Sequence, residues 1–186
     1  MAGLPPRFNC GEQRAEPWLQ RAAAAADLLA TLPVTTRGDA VLADIGCGDQ
    51  KLERALRARG LAIRYRGYDL HPQAPEVQLF DIATADLPGH HDVAVLLGVI
   101  EYLPAVAAVL SRLARQVPAL LVSHVVRDGD HYDAARLREL GWRNHLTIAE
   151  CEVLLDGAGL RVVAQRSTAD RRTVLFLCVA AGGAPA

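Results

Sequence analysis

Residues 41–50, VLADIGCGDQ, decide the fold, because an apolar run passes through an acid into a Gly-x-Gly turn. The run is typical of a buried strand, and residues 51–60, KLERALRARG, are typical of a helix that follows the turn. Glycines at positions 46 and 48 let the backbone approach a bound molecule, and the helix start offers unpaired N–H groups. The stretch therefore predicts a ligand-binding crevice.

Further strands and helices are predicted on both sides of this stretch. The apolar runs predict strands over residues 62–70, 77–80, 91–100, 119–126, 160–165 and 173–180. Helical spacing and end signals predict helices over residues 17–32, 51–59, 104–117 and 147–155. Repeated alternation of strand and helix, closed by two strands around a polar turn, favours a doubly wound α/β fold. We expect a mostly parallel seven-stranded sheet with a C-terminal antiparallel hairpin.

The domain organisation follows from length and composition. At 186 residues the chain fits a single domain over 1–186, with residues 1–12 and 182–186 flexible. A net charge of −1 argues against nucleic acid and anionic membrane as partners. No apolar run approaches a membrane span and no secretory signal precedes the first helix, which predicts a cytoplasmic protein.

The four cysteines indicate neither a metal site nor a disulfide framework. They lie far apart, without the spacing of metal ligands, at positions 10, 47, 151 and 178. We therefore expect free thiols and no bound metal. Assembly into a homo-oligomer is left open.

Acids end the first three predicted strands, at Asp44, Asp69 and Asp81. Ligands of such sheets bind at the carboxyl ends of the strands, and an acid after the second strand can accept hydrogen bonds from a ribose diol. A dinucleotide site would continue G-x-G-x-x-G, but Lys51 occupies the third glycine position. This difference argues against a nicotinamide cofactor.

The sequence resembles the class I S-adenosylmethionine-dependent methyltransferase family over roughly residues 40–181. The resemblance rests on Asp44-Ile45-Gly46-Cys47-Gly48, on Asp69-Leu70, on Asp81-Ile82 and on residues 97–103, LGVIEYL. It implies S-adenosylmethionine as cofactor, with the ribose on Asp69 and the adenine beside Asp81, Ile82 and Leu70. The cofactor residues it implies are Asp44, Gly46, Cys47, Gly48, Asp69, Leu70, Asp81, Ile82, Gly98 and Val99. Gln50 departs from the family, which often continues with a third glycine there.

The reaction predicted is methylation of a hydroxyl group on a small molecule or glycan by in-line displacement. The candidate catalytic residues are His145, Glu101 and His124, although His124 also fits a core histidine. The candidate substrate residues, in the N-terminal segment, after the fourth strand and in the polar stretch 127–145, are Arg14, Trp18, Tyr102, His131, Tyr132, Trp142 and Asn144. The alternatives are an N-methyltransferase, an enzyme acting on a macromolecular partner, and a non-catalytic scaffold.

Overall fold

The computed structural model describes residues 15–129 and 132–182. Arg14, His131, Cys10 and the segment 1–12 lie outside the described residues, as does most of the segment 182–186. Expectations for those positions therefore stay predictions, as does the single-domain assignment.

A seven-stranded sheet organises the described chain, as the sequence predicts. The strands are β1 Val41–Ile45, β2 Arg64–Asp69, β3 Gln78–Leu79, β4 Val93–Leu97, β5 Ala119–Val125, β6 Leu160–Ser167 and β7 Thr173–Ala180. Their order across the sheet is β3-β2-β1-β4-β5-β7-β6. The first five strands are parallel, and β7 is antiparallel to both β5 and β6. The mostly parallel sheet with a C-terminal hairpin is confirmed.

Helices cover the sheet. They are α1 Ala15–Leu29, α2 Lys51–Ala58, α3 Val106–Gln116, α4 Ala134–Leu140 and α5 Ile148–Gly157, with 3₁₀ helices at Pro33–Thr36 and Ile100–Tyr102. None of the helices in the described ranges is long and apolar enough to cross a membrane.

Successive residues of β4 face opposite sides of the sheet and belong to two layers of the core. Val93 and Val95 pack in the layer that includes α1 and α2, whereas Ala94 and Leu96 pack in the layer that includes α3 and α5. Apolar residues without alternation predicted a strand that is buried on both faces, which the structure confirms.

The structure differs from the sequence prediction in two places. Strand and helix alternate less regularly than expected, because the connections from β2 to β3 and from β3 to β4 contain no helix among the described residues. The polar stretch 127–144 contains α4, which sequence periodicity missed because none of its residues is buried. Local signals do mark its ends, since the Asp133 side chain accepts from the Arg136 amide and Gly141 has φ +61°.

Candidate cofactor and acceptor site

The loop after β1 is bound to the end of β2. The amides of Gly46 and Cys47 both donate to the Tyr68 carbonyl oxygen, at 2.7 and 3.1 Å. Gly46 has φ +74°, and a Cβ there would lie 2.6 Å from Cγ2 of Val99. The glycine is therefore required both by the left-handed backbone and by the close approach of the chain after β4.

Asp69 connects the first two strand ends. Its Oδ2 accepts from the Gly48 amide and its Oδ1 from the His71 amide, each at 2.9 Å. Each carboxylate oxygen has two lone pairs, so the side chain retains acceptor capacity toward the cavity that it lines. Asp81 accepts from the Ala83 amide at 2.9 Å, which closes a turn after β3 and places Asp81 and Ile82 on the same cavity.

The end of β4 forms the opposite wall. Gly98 has φ +71°, and its amide donates to the Ser123 hydroxyl of β5 at 2.9 Å. A Cβ at Gly98 would lie 3.0 Å from the ring of Trp18, so α1 packs directly over this turn. The Arg21 guanidinium in turn stacks on Trp18, with its Cζ atom 4.3 Å from the centroid of the Trp18 ring.

Two adjoining cavities open at this edge of the sheet and share Trp18, Gly46, Gly48 and Leu97. The larger has a volume of about 360 Å³, and the smaller about 50 Å³. Every residue predicted for the cofactor lines one of them. Asp44 and Cys47 line the smaller cavity, Gly46 and Gly48 line both, and the larger takes Asp69, Leu70, Asp81, Ile82, Gly98 and Val99.

Asp44 is the buried acid of the smaller cavity, with 2% of its surface exposed. Burial and the neighbouring charge of Asp69 raise the pKa of Asp44 to about 7, while a hydrogen bond from the Tyr65 hydroxyl acts in the opposite direction. That bond measures 2.6 Å. Burial and the charge of Asp44 also raise the pKa of Tyr65, so the hydroxyl keeps its proton and donates.

The predicted catalytic residues Glu101 and His124 lie inside the core, where they are 1% and 0% exposed. The Val125 amide donates to Oε1 of Glu101 at 2.9 Å, and Nδ1 of His124 lies 3.5 Å from the same oxygen. The Leu146 amide donates to Nε2 of His124 at 2.9 Å, which leaves the ring proton on Nδ1, facing Glu101. Neither residue lines either cavity.

Partners outweigh burial at Glu101. Burial works to raise the pKa of this carboxyl, but the hydrogen bond and charge of His124, the charge of Arg21 and the Val125 amide lower it below its usual range. Glu101 therefore stays ionised as part of the core.

The segment after α4 is fastened to the turn after β4. The Asn144 side chain donates to the carbonyl oxygens of Ile100 and Leu103, at 2.6 and 2.8 Å. The backbone amide of Asn144 donates to the carbonyl oxygen of Glu101. Asn144 is predicted to bind substrate, but its side-chain NH₂ group donates to two backbone carbonyl oxygens. Its neighbour Arg143 lines the larger cavity.

The remaining predicted residues separate into two groups. Trp18 and Tyr102 line the larger cavity. Tyr132, Trp142 and His145 instead form a cluster with ring centroids 5.3 to 5.9 Å apart, which lines neither cavity. The roles of all these side chains stay predictions.

Sequence reasoning missed Arg21, Tyr65 and Arg143. Arg21 follows Trp18 by three positions in a predicted helix, which is a signal for a shared face. Tyr65 stands in the apolar alternation of a predicted strand, and nothing in the sequence relates it to Asp44.

Free thiols are found at Cys47, Cys151 and Cys178, and no group of three metal-ligating side chains occurs among the described residues.

The strand order and the acids at adjoining strand ends define a nucleoside-binding α/β enzyme domain. The model of a protein family described as "Methyltransferase domain" matches residues 18–165. The chain therefore belongs to this methyltransferase family, and S-adenosylmethionine is its cofactor.

Solved structures show the same fold at low sequence identity. One is a complex between the Haloferax volcanii Trm112 methyltransferase activator and the putative methyltransferase: TM-score 0.71, 19% identity, over 90% of this chain and 92% of that chain. Another is an O-methyltransferase family 2 protein from Planctomyces limnophilus in complex with apigenin: TM-score 0.65, 17% identity, over 91% and 62%. A third is the O-methyltransferase NcsB1 from neocarzinostatin biosynthesis, with S-adenosylmethionine and 2-hydroxy-5-methyl naphthoic acid: TM-score 0.58, 20% identity, over 90% and 57%.

This chain thus spans about six-tenths of the two O-methyltransferase chains. No curated protein matches it.

The residues on the cavities fit the cofactor. Asp69 offers acceptor capacity for ribose hydroxyls, and the side chain of Leu70, which is 46% exposed, offers an apolar surface for a base. Gly46, Gly48 and Gly98 also line the larger cavity, where they add no side chain to its wall. When bound, S-adenosylmethionine supplies a methyl group that is already activated by the sulfonium, so the protein needs mainly to align the acceptor and exclude water.

Proposed function

We propose that this methyltransferase transfers a methyl group to a hydroxyl of a small, largely apolar molecule, of which an aromatic alcohol is the best fit. The proposal rests on the wall of the larger cavity beside Gly98 and Val99. Its side chains are aromatic or apolar with one cation, namely Trp18, Tyr102, Leu103, Pro104 and Arg143. Such a wall suits a flat apolar acceptor with one polar point of attachment.

Arg143 is the residue that favours a hydroxyl over an amine. Among the described residues, it is the only Lys or Arg that lines the larger cavity. A guanidinium stabilises the negative charge that develops on an oxygen nucleophile and disfavours a protonated amine. A phenolic hydroxyl, with a pKa of about 10, loses its proton more readily than an aliphatic alcohol. The two O-methyltransferases of the same fold, crystallised with apigenin and with a hydroxynaphthoic acid, support this acceptor class.

Glu101 and His124 enter this proposal as positioning residues, and His145 enters it as a member of the aromatic cluster with Tyr132 and Trp142. None of these residues lines the larger cavity, but Glu101 and His124 hold the segment that carries Arg143. The Arg143 amide donates to the Glu101 carbonyl oxygen at 2.6 Å. They therefore fix the acceptor wall without touching the acceptor.

The experiment supplies S-adenosylmethionine with a tritiated methyl group to the protein together with a cell extract divided into small-molecule, protein and RNA fractions. We expect label in the small-molecule fraction, on a product that resists acid hydrolysis as an aryl methyl ether does. Label on an amine, or in the protein or RNA fraction, would replace the proposal with one of the alternatives. Absence of transfer with intact cofactor binding would favour the scaffold.

Two variant pairs then test the wall. Arg143→Gln is expected to lower kcat/KM for the hydroxyl acceptor about 10- to 100-fold, as expected for loss of a charge-assisted contact. Arg138→Gln, the same change on the exposed helix α4, is the matched control and should leave turnover unchanged. His145→Ala and Trp142→Ala test the aromatic cluster. If both variants leave turnover unchanged, the cluster takes no part in substrate binding or catalysis.

A further inference from the structure

The smaller cavity contains two buried groups of opposite charge, on different elements. Asp44 is the next-to-last residue of β1 and Arg21 belongs to α1, and both line the cavity of about 50 Å³. Since this cavity adjoins the larger one, a ligand that fills the larger cavity can extend a short group into it. An amino-acid group, which carries an ammonium and a carboxylate, has the matching pair of charges.

Arg21 and Asp44 both line the smaller cavity, but no ion pair joins them in the described part of the chain. The hydrogen bond that Asp44 accepts comes from the neutral Tyr65 hydroxyl, and the neighbouring charge of Asp69 is of like sign. Arg21 instead donates to the Thr173 hydroxyl at 3.3 Å and stacks on Trp18. The other charged groups at this cavity are Lys51 and Asp49, which pair with each other at 2.6 Å. Among the described residues the Asp44 carboxylate therefore lacks a cation.

Tyr65 is the residue that orients Asp44. Its hydroxyl donates to Oδ2 at 2.6 Å, and no other described residue donates a hydrogen bond to that carboxylate. Tyr65 lies on β2 two positions before Gly67, which is the register partner of Asp44. A Cβ at Gly67 would lie 3.4 Å from Cε1 of Tyr65, so the glycine leaves room for the phenol ring to reach along the strand to Asp44.

We propose that Tyr65 is a positioning residue for cofactor binding: its hydroxyl holds the Asp44 carboxylate so that the second oxygen receives the ammonium group of the cofactor's amino-acid end. The ammonium supplies the cation that Asp44 lacks, and Arg21 faces the carboxylate of the same end. A buried carboxylate with one hydrogen-bond donor has an unused acceptor oxygen. An ammonium group that donates to this oxygen forms a strong, charge-assisted hydrogen bond. The inference rests on the cofactor assignment and is independent of the acceptor proposed above.

The test compares two ligands by calorimetry near neutral pH. S-adenosylhomocysteine carries the amino-acid end, whereas methylthioadenosine has the same adenosine and sulfur without it. We expect Tyr65→Phe to weaken S-adenosylhomocysteine about 5- to 20-fold, which is the effect of losing one charge-assisted hydrogen bond, and to leave methylthioadenosine unchanged.

Tyr68→Phe is the matched control on the same strand. Its hydroxyl lies 3.1 Å from Nε2 of the buried His91 and faces neither cavity. It should leave the affinity for both ligands unchanged. In an Asp44→Asn background, Tyr65→Phe should cost no further affinity, because the tyrosine acts through the carboxylate.

The outcomes separate the inference from the assignment on which it rests. Equal loss for both ligands, no loss for S-adenosylhomocysteine, or an equal effect of Tyr68→Phe would overturn the role of Tyr65. If the wild-type protein binds neither ligand, the cofactor assignment fails and the inference fails with it.

Discussion

Asp44, near the end of β1, and Glu101, after the neighbouring parallel strand β4, are both buried carboxylates and are 2% and 1% exposed. Asp44 has one donor, Tyr65, and a pKa raised to about 7 by burial and by Asp69. Burial acts on Glu101 in the same way, but His124, Arg21 and the Val125 amide reverse its effect and lower the pKa. Burial alone therefore does not distinguish an acid beside a cavity from an acid within the core.

The position of each acid relative to the cavities makes that distinction, since Oε2 of Glu101 is also buried without a hydrogen-bond partner. Glu101 lines neither cavity and connects β5 to the segment that carries Arg143, so its interactions lie within the protein. Asp44 lines a cavity, and its carboxylate forms no ion pair with a described residue. The difference suggests a general criterion: a buried acid that the fold leaves under-satisfied beside a cavity is the one to test for ligand binding.

The largest effect is expected for Glu101→Ala. The change leaves the His124 ring and the Val125 amide buried without their acceptor, at a cost of about 3–5 kcal/mol in the free energy of unfolding. Urea denaturation measures the loss. Glu101→Gln, which keeps an acceptor oxygen, should lose less and should retain turnover once folded. An unchanged unfolding curve for Glu101→Ala would remove the contrast with Asp44.

Asp44→Asn should have the opposite profile. We expect the affinity for S-adenosylhomocysteine to fall about 10- to 100-fold, because the ammonium loses its countercharge. The free energy of unfolding above neutral pH should not fall, since the variant removes a buried charge that the fold under-compensates. Calorimetry and urea denaturation of one preparation give both numbers. Loss of stability with unchanged affinity would place Asp44 in the same class as Glu101.

The pH dependence sharpens the comparison because the two acids shift in opposite directions. A raised pKa at Asp44 contributes stability at low pH that is lost as pH rises through about 7. The lowered pKa at Glu101 contributes stability above its unfolded value that is lost as pH falls. We therefore expect Asp44→Asn to flatten the decline in stability toward neutral pH.

Ligand affinity should follow the ionisation of Asp44. S-adenosylhomocysteine should bind more weakly as pH falls below about 7, approaching tenfold per pH unit, because the protonated carboxyl has no charge to offer the ammonium. Methylthioadenosine should show no such slope. Titrations of both ligands at several pH values measure this, and a common slope would assign the effect to another group.

The smallest effect concerns Gln50, in the loop next to Asp44. Gln50 adopts φ +62°, a left-handed conformation, and its side chain donates to Glu76 at 2.9 Å. Gln50→Gly relieves backbone strain of about 1 kcal/mol but loses that hydrogen bond, so the two contributions nearly cancel. Thermal unfolding should shift little and ligand affinity should stay unchanged. A large loss of ligand affinity in Gln50→Gly would contradict this prediction and would show that Gln50 contributes to ligand binding.

The residues that line the two cavities at the strand ends were predictable because their signals are local. The acids at 44, 69 and 81 follow apolar runs, and parallel strands bring their carboxyl ends to one edge. The departure at Gln50 also has a local reason, since the position keeps the backbone conformation that glycine favours even with a side chain present. The catalytic and substrate candidates were chosen by residue type in a polar stretch, which does not specify where a side chain points.

The sequence by itself determined the sheet and the positions of Asp44, Asp69 and Asp81, since apolar periodicity and glycine placement depend on near neighbours in the chain. Only the tertiary structure decided which buried groups meet. Tyr65 reaches Asp44, Arg21 reaches the cavity from α1, and His124 pairs with Glu101. These contacts join residues that are distant in sequence, and the charge that each acid carries depends on them.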